Sequence, residues 1–455
     1  MNADMSTARP LTRKERTTAI VGVCSGNLVE WYDFFIYAYT SIYFASLFFP
    51  AGDQTSQLLA TAGIFAVGFF MRPLGGWIFG YIADTRGRKI SMIISVFMMC
   101  GGSLMIAVMP TYATVGVAAP VLLVIARLMQ GLSVGAEYGT GATYISEVSR
   151  AGRRSFYGSF QYMTIIAGQL LALLTVAVLQ LVLSEQDLKA WGWRVPFLIG
   201  ALASIVVVIL RRTMRETATE AGMKSKESGS LRGLMQHRRA VLLTFTITIG
   251  CSLYFYTFTA YMQKFLVVSV GIPAPTVSII MASALVIFML VQPVFGLLAD
   301  KIGVRRNMIL FGLLSTFLVI PLLSAIKTVQ DPLAAFGLVL AGLLIAAFYT
   351  PVTGVLKADF YPPTVRALGV GLPYAVGAAM FGGSAEYVAL TFRSLGMEQY
   401  FYLYVAVIGA ITLVSALLMP DLGKHGYLDG DGKVEANIGV RKFMGRKALP
   451  THPSH

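Results

Sequence analysis

The chain has 455 residues, of which 56% are hydrophobic and only 13% charged, and a formal net charge of +14. A soluble domain carries about twice that charged fraction, so the composition excludes an ordinary soluble enzyme or binding module. The positive charge lies in loops between apolar runs, with no basic face interleaved with aromatics, so it does not describe a nucleic-acid surface. The three cysteines, Cys24, Cys100 and Cys251, sit inside apolar segments without a C-x-x-C pair, which leaves no disulfide framework and no zinc site.

The polar N-terminus, Met1 to Thr18, leads into an apolar run that contains Glu30 and Asp33 and no small-residue cleavage pattern. It reads as a retained first helix, not a signal peptide. Hydropathy places twelve membrane helices near 20–48, 57–82, 90–109, 117–146, 155–183, 194–212, 240–266, 275–299, 307–326, 333–356, 367–391 and 400–419. The expected organisation is an N-terminal tail (1–19), a six-helix half (20–212), a central loop (213–239), a second six-helix half (240–419) and a C-terminal tail (420–455). The central loop is polar and reads either as a short amphipathic helix on the membrane surface or as a solvated linker. In the tail, Asp429-Gly-Asp431-Gly has the first ligands of a calcium loop but not the later ones.

Charge supports this division. The loops after helices 2, 4, 6, 8 and 10 hold groups such as Arg86, Arg88 and Lys89, or Lys301, Arg305 and Arg306, whereas the intervening loops are nearly bare. Sorted this way, 29 of the 36 Lys and Arg residues fall on the side of the two termini and 5 on the other, with Arg72 and Arg127 inside helices. The positive-inside rule then expects both termini and the central loop in the cytoplasm, which requires an even number of spans.

The chain also repeats itself. Gly80-Tyr-Ile-Ala-Asp84-Thr-Arg86-Gly87-Arg88-Lys89 follows helix 2, and Gly296-Leu-Leu-Ala-Asp300-Lys-Ile-Gly303-Val-Arg305-Arg306 follows helix 8. A second pair, Glu147 with Arg154 and Asp359 with Arg366, recurs at nearly the same offset. Two motifs at one offset imply duplication of a six-helix unit, an architecture of secondary carriers. Glycine permits close helix approach, a second glycine permits a tight turn, and aspartate at a helix end pairs with arginine or caps a neighbouring helix. Gly80, Asp84, Gly87 and Arg88, with Gly296, Asp300, Gly303 and Arg305, are therefore expected to form a gate on the cytoplasmic side.

These residues carry a resemblance. The G-x-x-x-D-x-x-G-R-K signature and its echo resemble the loop motif of the major facilitator superfamily. Gly26-Asn-Leu-Val-Glu30-Trp31-Tyr-Asp33-Phe, Gly68-Phe-Phe-Met-Arg72-Pro73-Leu-Gly-Gly and Arg127-Leu-Met-Gln130-Gly131-Leu-Ser-Val-Gly135-Ala-Glu137-Tyr-Gly resemble its metabolite:proton symporter subfamily. Ser155-Phe-Tyr-Gly-Ser-Phe-Gln161-Tyr, the run from Phe255 through Gln263-Lys264, and Phe381-Gly-Gly-Ser-Ala-Glu386 resemble the bacterial α-ketoglutarate permeases within it. The resemblance spans about Ile20 to Met419. It implies an all-α membrane fold of twelve helices in two six-helix halves, and a proton-coupled symporter for α-ketoglutarate (2-oxoglutarate) or a related small carboxylate. Citrate, shikimate and proline or betaine are the alternatives in the subfamily. It further implies a monomer in the inner membrane, with no cofactor and H+ as coupling ion.

Ionisable residues at membrane depth are costly and mark function. Glu30 and Asp33, three apart on one helix face, are candidates for proton coupling, as is Arg127, whose Arg127-x-x-Gln130-Gly131 setting resembles the superfamily's symport motif. Arg72 presents the planar fork that suits a carboxylate and is the first candidate for substrate binding, an internal ion pair with Glu30 or Asp33 being the other reading. Gln161, Tyr256, Lys264 and Tyr374 complete the substrate candidates. The four histidines, at 237, 425, 452 and 455, all fall outside the spans, so a catalytic cluster is not expected.

Overall fold

A computed structural model describes residues 12–49 and 54–428. The first eleven residues and 429–455, with the partial calcium-loop pattern, lie outside the described residues. No strand occurs among the described residues. Twelve helices follow one another: α1 (Arg13–Phe48), α2 (Gln54–Arg86), α3 (Arg88–Val108), α4 (Ala118–Val148), α5 (Arg154–Val182), α6 (Val195–Arg212), α7 (Arg238–Val270), α8 (Ala274–Ile302), α9 (Val304–Phe317 with Val319–Thr328), α10 (Pro332–Ala346), α11 (Arg366–Ser394) and α12 (Glu398–Leu418). Eight are long and apolar enough to cross a membrane, or nine counting α9 as one bent span. The chain is thus a multi-pass membrane protein. Helix α1 is not among the eight, because its middle carries the buried Asn27, Glu30 and Asp33.

Two helices depart from continuous rods. The segments of α9 meet at 49°. Helix α10 stops at Ala346 in a turn that holds Pro351, which lacks the N–H a helix needs, and resumes as Thr353–Asp359. Helices α7 and α11 widen into π turns, α7 at Thr257–Tyr261 and Phe265–Val270 and α11 at Ala378–Gly382. Such turns recur at functional sites.

Within the first half, α2 and α4 pack backbone to backbone. A methyl group on Gly135 would run into the Arg72 carbonyl, and one on Gly131 into that of Gly68. Small residues let helices approach this closely in lipid, which explains the glycine spacing around Arg72. Overpacking costs about 1–3 kcal/mol, so Gly135→Ala should lower the thermal midpoint of the detergent-solubilised protein. Gly337→Ala, with nothing within 4 Å of the new carbon, should leave it unchanged.

The two halves meet most closely at the end that carries the basic loops. Gly76 and Gly139 both press on Gly371 of α11, and Gly296 presses on Ser155 and Phe156 of α5. Here the loop reading of several charges needs correction. Arg88, Arg211, Lys357 and Arg366, which the charge count places in the cytoplasmic loops, are all buried. The bundle supplies what water would have supplied. Arg211 pairs with Glu137 of α4 and donates to the carbonyls of Gly22 and Met92. The central loop, expected as a short amphipathic helix or a solvated linker, is tied to the bundle by hydrogen bonds. It holds two short helical turns, Glu220–Met223 and Leu231–Gln236, and its Ser228 hydroxyl donates to the Asp84 carbonyl at 2.7 Å.

Candidate functional site

The duplicated motif forms matching caps. Asp84, in the last turn of α2, accepts the backbone N–H groups of Ala367 and Leu368 at the start of α11, both at 3.0 Å. Asp300, in the last turn of α8, accepts those of Ser155 and Phe156 at the start of α5, at 2.9 and 3.0 Å. A carboxylate on the free N–H groups of a helix start is favourable by hydrogen bonding and by the helix dipole. Each cap joins the two halves. Gly87 and Gly303 turn at φ +108° and +93°, a region side chains rarely enter. Gly80 lets α2 lie against Leu368.

Beyond the caps the copies diverge. Arg88 bridges Asp84 at 3.2 Å and Glu147 at 3.4 Å, and Glu147 also binds Arg366 of the other half at 2.9 Å. The second copy has Val304 where the first has Arg88, and Arg305, which aligns with Lys89, donates to the Leu417 carbonyl at 2.7 Å. Glu216 of the central loop accepts from the backbone N–H groups of Arg88 and Lys89 and so caps α3. Its role had no signal in the sequence, since it stands among loop charges with no recurring spacing.

Deeper in, α1, α2, α4 and α11 enclose a void of about 10 Å³ lined by Asn27, Glu30, Trp31, Arg72, Tyr138 and Tyr374. That is room for about one water, so this conformation is closed around its centre. Arg72 is 2% exposed. Its guanidinium lies 4.0 Å from the Phe69 ring centroid and 4.8 Å from that of Phe34, and Nη1 donates to the Tyr256 hydroxyl at 3.3 Å. Nε and Nη2 meet no acceptor. The ion pair with Glu30 or Asp33 that the sequence allows is not formed, because those carboxylates bind elsewhere.

Glu30 lines the void and accepts from Ser133 at 3.5 Å. A second small void on its far side reaches Glu137 and Ser204. Asp33 lies off the central void and accepts from Ser103 at 2.6 Å, and Gln130 donates to Ser103 at 2.9 Å while accepting from Arg127 at 2.8 Å. Arg127, Gln130, Ser103 and Asp33 thus form a buried chain across α4, α3 and α1. Gly200 of α6 leaves the space that Asp33 fills.

The remaining candidates divide. Tyr256 and Tyr374 reach the centre. The side chain of Gln161 packs beside Gly354 and Gly141 and is not part of the void, while its carbonyl accepts from Asn27 at 2.7 Å. Lys264 pairs with Glu386 and is half-exposed at the opposite end from the caps. Two residues not singled out from sequence belong to the centre. Tyr138 stacks on Tyr374 with ring centroids 3.4 Å apart, and the buried Lys357 donates to the Tyr138 hydroxyl at 3.3 Å. Tyr138 stood within a quoted motif, whereas Lys357 has the pattern of any basic residue at a helix end.

Comparison with known proteins agrees with this arrangement. Residues 18–232 match the model described as Sugar (and other) transporter, and residues 241–444 match the Major Facilitator Superfamily model. The chain is 54% identical over 424 residues to the alpha-ketoglutarate permease of Escherichia coli (strain K12), covering 93% of this chain and 98% of that one. It is 30% identical over 418 residues to the proline/betaine transporter of Salmonella typhimurium, covering 87% and 82%. Among solved structures, the proton:xylose symporter XylE bound to 6-bromo-6-deoxy-D-glucose shares the fold, with a TM-score of 0.74 at 17% identity over 90% of this chain and 96% of that one. The duplicated caps, the twelve-helix bundle and these likenesses together place the chain in the major facilitator superfamily.

Proposed function

We propose that the chain is a proton-coupled symporter that takes up α-ketoglutarate, or a closely related small carboxylate, by alternating access between its halves. The observation that carries this reading is Arg72, a buried guanidinium at the central void with two nitrogens that meet no acceptor. An unpaired buried charge is costly, and an anionic substrate supplies what is missing. The likeness to the alpha-ketoglutarate permease supports the substrate class.

In this reading Arg72, Tyr256 and Tyr374 hold the substrate, and Gln161 and Lys264 join the path only when the bundle opens. Glu30 carries the coupled proton, with Asp33 and Arg127 as its alternative site. The caps on Asp84 and Asp300 close the cytoplasmic side and break as the halves rock. The protein acts as a monomer in the inner membrane, both ends cytoplasmic, with H+ as coupling ion and no cofactor.

Proteoliposomes holding the purified protein test the reading. An inward proton gradient should drive accumulation of labelled α-ketoglutarate, and a protonophore should abolish it. Absence of uptake by correctly oriented protein would overturn the α-ketoglutarate assignment. Uptake indifferent to the protonophore would overturn proton coupling.

A further inference from the structure

Lys357 is 1% exposed, in the short helix Thr353–Asp359 that continues α10. Its ammonium lies 4.5 Å from the ring centroid of Tyr374 and 5.1 Å from that of Tyr138, while the centroids are only 3.4 Å apart. Nearly equal distances to two closely stacked rings put the charge beside the stack, at the ring edges, and not over a face. Ring edges carry the positive side of the quadrupole, so they do little for a cation. What Lys357 holds is one neutral hydroxyl, that of Tyr138. No ion pair engages it among the described residues, and the acids at the ends of its own helix and of α4 are engaged elsewhere. Glu147 is taken by Arg88 and Arg366, and the Asp359 carboxylate accepts the backbone N–H of Leu428.

Among the described residues, Arg72 at the void and Lys357 behind the tyrosine pair that forms part of its wall are thus buried cations in no ion pair. Tyr138 belongs to the first half and Tyr374 to the second. A rocking motion that parts these rings would join the ammonium to the enlarged cavity. The closed void, with space for about one water, cannot hold a substrate, so the centre must open for one to bind.

We propose that Lys357 is a second charge subsite, which binds the distal carboxylate of a dianionic substrate while Arg72 binds the carboxylate at the other end. The inference rests on the carboxylate reading above and names the residue that meets the second carboxylate of such a substrate. The tyrosine stack then acts as a shutter that uncovers the second cation only when the halves move.

The test compares binding of α-ketoglutarate with that of 2-oxopentanoate, which has the same chain length and lacks the distal carboxylate, to purified wild type, Lys357→Gln and Lys357→Arg. The wild type should prefer the dicarboxylate by on the order of 100-fold, about 2.7 kcal/mol. Lys357→Gln should bring the two affinities within about threefold by weakening the dicarboxylate alone, and Lys357→Arg should retain most of the preference. A structural role would weaken both ligands together. Parallel loss, or an unchanged preference in Lys357→Gln, would overturn the subsite. Should Lys357→Gln not yield monodisperse protein, an arginine variant that binds both ligands equally would overturn it too. Wild-type preference without gradient-driven uptake would leave the subsite standing and defeat only the symport reading, whereas no wild-type preference would defeat the subsite whatever is transported.

Discussion

Arg72→Lys should lower the initial rate of α-ketoglutarate uptake at subsaturating concentration by a factor on the order of 10²–10³, and Arg72→Ala should abolish it. Truncating one partner of a buried charge pair costs about 2–5 kcal/mol, and each 1.4 kcal/mol is about tenfold. Lysine preserves the charge, but its ammonium lacks the planar fork that meets a carboxylate with two parallel bonds. The site is built around that plane. Phe69 and Phe34 flank the guanidinium, Tyr256 orients one edge, and the unsatisfied Nε and Nη2 remain for a ligand. Initial rates per reconstituted molecule measure the effect. A lysine variant within about fivefold of wild type would show that a point charge suffices there, and would remove the two-point contact from the mechanism.

Glu30→Gln should remove concentrative uptake and leave exchange. Glutamine matches the shape of a protonated glutamate but cannot release the proton, so the variant would be held in the loaded form. An inward gradient of one pH unit can support about tenfold accumulation through one coupled proton. In the variant the ratio of inside to outside substrate should fall to about one, while counterflow of labelled against unlabelled substrate persists at a comparable rate. Glu30 is chosen over Asp33 by position. It lines the central void, whereas Asp33 lies behind it, bonded through Ser103 and Gln130 to Arg127. Asp33→Asn should therefore impair accumulation less. If Asp33→Asn uncouples transport and Glu30→Gln does not, the proton travels on the Arg127 chain instead.

The first half of α1 shows how far a linear reading reaches. Glu30 and Asp33 announce themselves because a carboxylate in an apolar run has a cost that composition alone exposes. Their division of labour does not, because two residues three apart on one helix face can still meet different neighbours. Ser133 of α4 serves the first, and Ser103 of α3 the second. The same holds for Arg72. Its type and depth are visible in the chain, but its lack of an ion pair depends on where every carboxylate around it has already gone.

Span number, duplication and the glycine-aspartate motifs are local or periodic properties of the chain, and they follow from the bilayer's demand for apolar length and from repetition at a constant offset. Those features were determined by the sequence alone. The fate of Lys357, Arg366 and Arg211 was decided only by tertiary structure. A basic residue just past an apolar run looks the same whether it faces water or folds back into the bundle. Its burial depends on acceptors brought from remote segments: Glu147 for Arg366, Glu137 for Arg211, the Tyr138 hydroxyl for Lys357. No spacing along the chain encodes such meetings. They exist only once the helices of the two halves are packed, and they place the charges that the bilayer would otherwise exclude.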